Sequence, residues 1–279
     1  MISLKEMKLV IQQALMEDIG SGDITADSIA KSAGQGIAII MAKQSGILAG
    51  IEPASLVFLE MDNQLKTSIL LKDGNSINNN DHIMKISGEI KSILKAERVA
   101  LNFLAHLSGI ATLTNKFVQE IKDTKAQITD TRKTIPLLRK FEKEAVQAGG
   151  GVNHRMGLFD MVLIKENHIK VSGGIKKAVA CVRQYLKAKN INVKIEVETT
   201  NIMEVREALN CNVDRIMLDN MSLENIKEAV KIAAGKVEIE ASGGITLNNV
   251  KLIAKTGVDL ISVGAIIHSA PAFDFTLLF

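Results

Sequence analysis

Two hydrophobic textures follow one another along the chain. Near the start, Leu4, Met7, Ile11 and Leu15 recur at helical spacing and predict an amphipathic helix, with Ser3 and Glu6 as its capping box. Up to about residue 93, short apolar runs such as "GIAIIMAKQSGILAG", "KTSILLKDGNSI" and "DHIMKISGEI" are punctuated by Gly, Asn and Asp. "LKDGNSINNND" is a turn and loop signal, and this half predicts an α+β unit with a mainly antiparallel sheet. "LKAERVALNFLAHLSGIATLTNKFVQEIK" then predicts a long helix or a helix pair, with Ser108-Gly109 as the candidate break.

Beyond that helix the pattern repeats a theme: an apolar β run ending in a polar or small residue, then a helical stretch. The β runs are "AQITDT", "DMVLIKE", "VKIEVET", "VDRIMLDN", "VEIEASGG" and "DLISVGA". Between them lie helical patterns such as "GGIKKAVACVRQYLKA", "TTNIMEVREALN", "SLENIKEAVKIAA" and "TLNNVKLIAK". Alternating β and α elements predict a parallel sheet. The runs end at Thr131, Lys165, Glu198, Asp219, Ser242 and Gly264, with spacings of 34, 33, 21, 23 and 22, and the last three fit compact βα units of a barrel. Six strands are fewer than the eight of a closed barrel, so an incomplete or open barrel is expected. A doubly wound sheet is the second reading, although no G-x-G-x-x-G follows a first strand.

Composition narrows the picture. A chain of 279 residues suits one large domain or two smaller ones, and 47% hydrophobic residues supply a substantial core. With 3% aromatics and no Trp, that core is aliphatic, and aromatic platforms for single-stranded nucleic acid are not expected. The net charge of +3 is mild and interspersed, which argues against a nucleic-acid-coating protein. Cys181 and Cys211 show neither metal spacing nor a disulfide pattern and read as buried thiols in a reducing compartment. Glu6, Glu17 and Asp18 spoil a signal-peptide reading, and no apolar run approaches the ~20 residues of a membrane helix. A soluble, cytoplasmic protein that binds neither membrane nor nucleic acid is expected.

In a barrel the chemistry sits at the C-terminal strand ends. Those ends carry Arg132 and Lys133 in "TDTRKTIPLLRK", His154 and Arg155 after "GGG", and Lys165. The next two strands end in carboxylates, Glu198 and Asp219, and the last two in small residues, "ASGG" at 241–244 and "SVGA" at 262–265. Small-residue loops after the last two strands expose backbone N–H groups suited to a phosphate. Two carboxylates on adjacent strands, facing several cations, suit Mg²⁺ bridged to substrate phosphates. Converging Arg, Lys and His groups suit a multiply anionic, carboxylate-bearing partner. Each group alone has a plainer reading: a turn, a capping acid, a snorkelling lysine, or, for Arg98 in "AERVALN", a solvated helix charge. His82, His106 and His268 read as structural, and Gly149 to Gly151 as a flexible connection.

The stretch "DTRKTIPLLRKFEKEAVQAGGGVNHRMGLFDMVLIKENHI" resembles the quinolinate phosphoribosyltransferases, also called nicotinate-nucleotide pyrophosphorylases (carboxylating). "EDIGSGDIT", "AERVALNFLAHLSGIAT", "IEVET", "MLDN", "EASGGI" and "SVGAIIHSAPAFDF" extend the resemblance over nearly the whole chain. It implies an α/β protein: an N-terminal α/β sandwich domain at 1–108, including the linking helix, and an open, incomplete TIM-like α/β barrel at 109–279. It also implies a type II phosphoribosyltransferase of NAD biosynthesis that converts quinolinate and 5-phosphoribosyl 1-pyrophosphate to nicotinate mononucleotide, CO₂ and pyrophosphate, with Mg²⁺. Further, it implies a homodimer in which Arg98 enters the partner's site. Thr131, Arg132, Lys133, His154, Arg155 and Lys165 would line the substrate pocket. Glu198 and Asp219 would serve Mg²⁺ and ribose, and Lys133, Lys165, Glu198 and Asp219 would carry the catalysis. Ser242, Gly243, Gly244, Val263, Gly264 and Ala265 would hold the 5′-phosphate. The chain departs from the family pattern at Ile135-Pro136-Leu137, where Thr-Pro-Gly is common, which bears on loop shape. A Schiff-base aldolase using Lys165 and a non-catalytic small-molecule or RNA-binding protein are the rival classes.

Overall fold

The structure, a computed structural model, describes residues 2–29 and 34–279. In chain order the elements are α1 (Leu4–Ile19), α2 (Ile24–Ile29), β1 (Gln35–Ala42), β2 (Gly46–Ile47), α3 (Ile51–Met61), β3 (Lys66–Ile69), β4 (Ser76–Ile77), β5 (His82–Glu89), α4 (Ile90–Ile121), β6 (Gln127–Thr129), α5 (Arg139–Ala148), β7 (Val162–Ile164), α6 (Glu166–Ser172) and α7 (Ile175–Lys189). They continue as β8 (Ile195–Thr199), α8 (Ile202–Asn210), β9 (Arg215–Asp219), α9 (Leu223–Ala233), β10 (Glu238–Ser242), α10 (Val250–Ala254), β11 (Leu260–Ser262), α11 (Ala265–His268) and β12 (Phe275–Leu278). Two compact units result. One comprises Met1–Asn115, Thr134–Gly150 and Ser269–Phe279; the other comprises Lys116–Lys133 and Gly151–His268.

In the first unit, β12, β1, β5 and β3 form an antiparallel sheet in that order, and β2 pairs with β4. The expected antiparallel sheet is therefore present, with one strand contributed by the far end of the chain. Strand β1 buries Ala38, Ile40 and Ala42, alternate positions that give the strand its half-buried period. The capping box of α1 is present: Glu6 N–H donates to Ser3 Oγ, and the Glu6 carboxylate accepts from Ser3 N–H at 3.1 Å. Helix α4 runs unbroken through Ser108-Gly109, which is the long-helix alternative and not the helix pair. Ser108 is fully buried, and its hydroxyl takes the Ala49 amide and donates to the Ala49 carbonyl, both at 3.0 Å. Gly109 has no room for a Cβ because the Pro271 carbonyl lies against it. Both residues thus serve packing against neighbouring chain, not interruption. Gly149 is likewise more than a flexible link: a Cβ there would meet the Ala111 carbonyl and Thr114.

In the second unit, the six predicted runs form one parallel sheet in the order β6-β11-β10-β9-β8-β7. Among the described residues no ladder joins β6 to β7, so the barrel is open there. Strands β8 to β11 are nearly continuously buried, as parallel strands covered on both faces must be. On one face lie Ile216, Leu218, Ile239 and Ala241; of the alternate residues, Met217, Asp219, Glu240 and Ser242 line a cleft at the strand ends. The cysteines differ from expectation: Cys181 is exposed and Cys211 half-buried. Helix α7 buries Ile175, Ala178 and Val179, and Cys181 falls off that face. Among the described residues, no helix is long and apolar enough to cross a membrane.

Candidate active site

The C-terminal ends of the parallel strands border a cleft of about 760 Å³. Thr131, Arg132 and Lys133 follow β6; Lys165 follows β7; Glu198 lies at the end of β8 and Asp219 closes β9; Ser242 closes β10 and Gly243 follows it; Val263, Gly264 and Ala265 follow β11. With His154, Arg155 and Gly244, every residue expected in the substrate pocket lines this cleft except Arg98. Arg98 is exposed on α4, in the first unit.

The local geometry shows how each group is held. Thr131 Oγ1 accepts the Lys133 amide at 3.1 Å, turning the chain as it leaves β6. Burial, and then the neighbouring Arg132 charge, push the Arg155 guanidinium below its ordinary range, against the opposing pull of Glu196 and Asp160. Arg155 Nη1 donates to the Met161 carbonyl at 3.2 Å. Lys165 Nζ lies 3.3 Å from Glu198 Oε2. The Lys165 amide donates to His168 Nδ1 at 2.9 Å, which caps α6 and explains the "KENH" turn.

On the opposite side, Asn220 has φ +53 and donates from Nδ2 to Asp219 Oδ2 at 2.9 Å. Its side chain lies over Gly243, where a Cβ would stand 2.5 Å from Asn220 Cγ. Gly243 (φ +89) and Gly244 (φ +60) both occupy the left-handed region that favours glycine. Asn249 clips the far side of this loop, donating to the Gly244 carbonyl and accepting the Thr246 amide. The Val263 amide already donates to the Thr129 carbonyl at 2.9 Å, so Val263 borders the cleft without offering that N–H to a ligand.

Several lining groups were not legible as site residues. Leu163 and Met217 add apolar surface, and His268, expected to be structural, lines the cleft beside Gly264. His106 does fill a structural role, with Nε2 2.8 Å from the fully buried Glu142 carboxylate. A buried polar cluster includes two of the cleft's lining residues, His154 and Glu240. His154 Nε2 stands 3.2 Å from Glu196 Oε2 and 3.3 Å from Glu240 Oε2, and Arg215 Nη1 donates to Glu240 Oε2 at 3.1 Å. Glu196 and Glu240 are fully buried. Burial opposes a charged ring at His154, but the Glu196 and Glu240 carboxylates push it up to about 9. Burial pushes the Glu196 carboxyl up, while His154, Ser262 and Arg215 outweigh burial at Glu240 and hold it low. The signal for these acids was period two: Glu196 shares a strand face with Glu198, and Glu240 with Ser242.

The sequence matches the quinolinate phosphoribosyl transferase N-terminal domain family over residues 23–108 and its C-terminal domain family over residues 110–278. The chain belongs to the quinolinate phosphoribosyltransferase family. It is 43% identical to the quinolinate phosphoribosyltransferase [decarboxylating] 2a of Nicotiana tabacum, over 98% of this chain and 82% of that one. It is 42% identical to a probable nicotinate-nucleotide pyrophosphorylase [carboxylating] of Synechocystis, over 96% and 90%. The solved nicotinate-nucleotide pyrophosphorylase of Francisella tularensis superposes with a TM-score of 0.94 at 43% identity, covering 99% of this chain and 97% of that one. Membership in this family accounts for both the antiparallel N-terminal unit and the open barrel.

Proposed function

We propose that the protein transfers the phosphoribosyl group of 5-phosphoribosyl 1-pyrophosphate to quinolinate with loss of CO₂, giving nicotinate mononucleotide and pyrophosphate. One observation carries the reading beyond family membership. A single cleft gathers four cationic side chains (Arg132, Lys133, Arg155 and Lys165), two strand-end carboxylates (Glu198 and Asp219) and a two-glycine loop. A dicarboxylate and a phosphorylated sugar pyrophosphate need that inventory.

The chemistry asks little of the protein in bond-making. The pyridine nitrogen uses its own lone pair to form the bond to ribose C1 while the C1–O bond breaks and pyrophosphate leaves with the electron pair. The resulting pyridinium accepts electron density as the C2–carboxylate bond breaks, and the carbon left behind takes up a proton. No base is needed to generate the nucleophile. Arg132 and Arg155 orient the carboxylates, and Lys133 and Lys165 neutralise charge that develops on the leaving group. The Gly243-Gly244 loop and the Gly264-Ala265 segment receive the 5′-phosphate.

Glu198 and Asp219 would hold Mg²⁺. They are oxygen donors on adjacent strands, and among the described residues they belong to no three-ligand cage. That fits an ion bound by one or two carboxylates plus substrate phosphates. When bound, the ion would supply positive charge to the pyrophosphate. Arg98, exposed on α4, would serve the neighbouring subunit of a cytoplasmic homodimer. The aldolase reading is disfavoured because Lys165 is ion-paired with Glu198 and half exposed, the opposite of the apolar enclosure that activates a Schiff-base lysine. The test is formation of nicotinate mononucleotide from quinolinate and 5-phosphoribosyl 1-pyrophosphate, with and without Mg²⁺. No product under either condition would refute the proposal.

A further inference from the structure

The two ends of the proposed sugar site lie on neighbouring strands, and one side chain bridges them. Asp219 closes β9, and Gly243 and Gly244 follow β10, its parallel neighbour. Asn220 comes directly after Asp219 and lines the same cleft. Its backbone N–H donates to the Ser242 carbonyl at 2.9 Å, extending the pairing of Asp219 with Ser242 by one residue. Its side-chain Nδ2 donates to Asp219 Oδ2 at 2.9 Å. The same side chain lies over Gly243, where a Cβ would stand 2.5 Å from Asn220 Cγ. Asn220 therefore touches the strand-end carboxylate and the glycine loop at once.

The plainest role for such a residue is the turn itself. Asn220 has φ +53, and asparagine tolerates the left-handed region better than most side chains. A turn explains neither side-chain contact, however, and glycine would serve it as well. The bond to Asp219 has a consequence of its own. The terminal torsion of an aspartate is broad, so its carboxylate rotates unless something holds one oxygen. Nδ2 can hold it, whereas Asn220 Oδ1 in that place would set two acceptors together. Against Gly243 the fit is steric: a side chain there would push the Asn220 amide off Asp219. Asn249 clips the other side of the loop, donating to the Gly244 carbonyl at 2.9 Å and accepting the Thr246 amide at 2.8 Å. Of the two asparagines, it is Asn220 that also reaches Asp219.

We propose that Asn220 is a positioning residue for the phosphoribosyl donor: it sets the rotation of the Asp219 carboxylate and holds that acid at a fixed span from the Gly243-Gly244 loop. A substrate whose ribose and 5′-phosphate must meet both at once then finds them already spaced. The proposal rests on the reading that Asp219 and the loop receive those two ends of 5-phosphoribosyl 1-pyrophosphate.

The test is a double-mutant cycle on the full-length enzyme. It is read by calorimetric binding of 5-phosphoribosyl 1-pyrophosphate with Mg²⁺ and without quinolinate, so that no transfer occurs. Asn220→Gly keeps the backbone conformation and removes the amide. It should weaken binding about tenfold, the effect of roughly one lost hydrogen bond. In the Asp219→Asn background the same change should alter binding by about twofold or less, because Asn220 acts through that carboxylate. In steady state, Asn220→Gly should raise the KM for 5-phosphoribosyl 1-pyrophosphate about tenfold and leave the quinolinate KM within about twofold. Asn220→Ala adds backbone strain and a lower Tm, yet should match Asn220→Gly in binding. Wild-type binding by Asn220→Gly overturns the proposal and leaves only a turn. Equal losses in both backgrounds overturn it too, since Asn220 would then contact the substrate itself. So does binding that follows Tm across the glycine and alanine variants, or an equal rise in both KM values, each the mark of a merely structural role. If Asp219→Asn binds too weakly to titrate, the KM split and the glycine–alanine comparison decide. A wild type that binds the sugar pyrophosphate yet makes no nicotinate mononucleotide refutes the functional reading alone; one that does not bind it refutes both.

Discussion

Replacing Gly243 with alanine separates two effects that the β10 loop combines. An alanine at φ +89 lies outside the compact left-handed well, a backbone cost of about 1–2 kcal/mol. Its Cβ would also stand 2.5 Å from Asn220 Cγ and 2.8 Å from Nδ2, with Oδ1 nearer still, so the Asn220 side chain must move. That movement breaks the Asn220–Asp219 hydrogen bond, exposed and contributing about 0.5–1 kcal/mol. The total, about 1.5–3 kcal/mol, should lower Tm by roughly 3–10 °C in a chain of this size. Gly244 is the built-in control. Its φ of +60 is within the left-handed well and nothing lies within 4 Å of a Cβ, so Gly244→Ala should cost only about 1 kcal/mol. Thermal unfolding of both variants, and of Gly243→Ala combined with Asn220→Ala, tests the argument. In the double variant the clash is gone and only backbone strain should remain, giving a favourable coupling of about 1 kcal/mol. The displaced Asp219 should also raise the KM for 5-phosphoribosyl 1-pyrophosphate about tenfold in Gly243→Ala, since one freed hydrogen bond no longer orients the carboxylate. Equal Tm values for the two single variants, or no coupling with Asn220→Ala, would refute the reasoning.

Three further outcomes follow from the cleft. Asp219→Asn and Glu198→Gln keep side-chain shape but remove charge, so both should fold normally and lose Mg²⁺-dependent turnover; full activity across a Mg²⁺ titration in either variant removes that residue from the ion's site. Nicotinate should be a poor substrate beside quinolinate, because with one carboxylate it leaves a desolvated guanidinium unpaired; comparable kcat/KM values for the two would contradict the carboxylate roles of Arg132 and Arg155. Arg98→Ala should abolish quinolinate binding while preserving the fold, and mixing it with Arg155→Ala under subunit exchange should restore activity through one complete site per heterodimer; mass-verified heterodimers that stay inactive exclude a shared site.

The strand ends show where sequence reading reaches. Six apolar runs, each closing on a polar or small residue, located all six parallel strands. The reason is local: a strand covered on both faces must be apolar along its length, and the residue that ends the run is the first that can face the cleft. Lys165, Glu198, Asp219 and Ser242 were legible for that reason. The Ser3–Glu6 cap was legible because it is closed within four residues. The order of those six strands, the gap between β6 and β7, and the recruitment of β12 into the N-terminal sheet were not, since strand pairing joins segments far apart in the chain. Ser108-Gly109 looked like a helix break because glycine lowers helix propensity; the Ala49 backbone and the Pro271 carbonyl, distant in sequence, are what require those two residues. Glu196 and Glu240 looked like ordinary strand acids. Only folding placed them on either side of His154, and an acid's role depends on what shares its buried space. The sequence by itself determined the elements, the order of candidate groups along the strand ends and the family; the tertiary structure decided which groups meet, because hydrogen bonds, ion pairs and steric exclusion act over a few ångströms of space, whatever the separation along the chain.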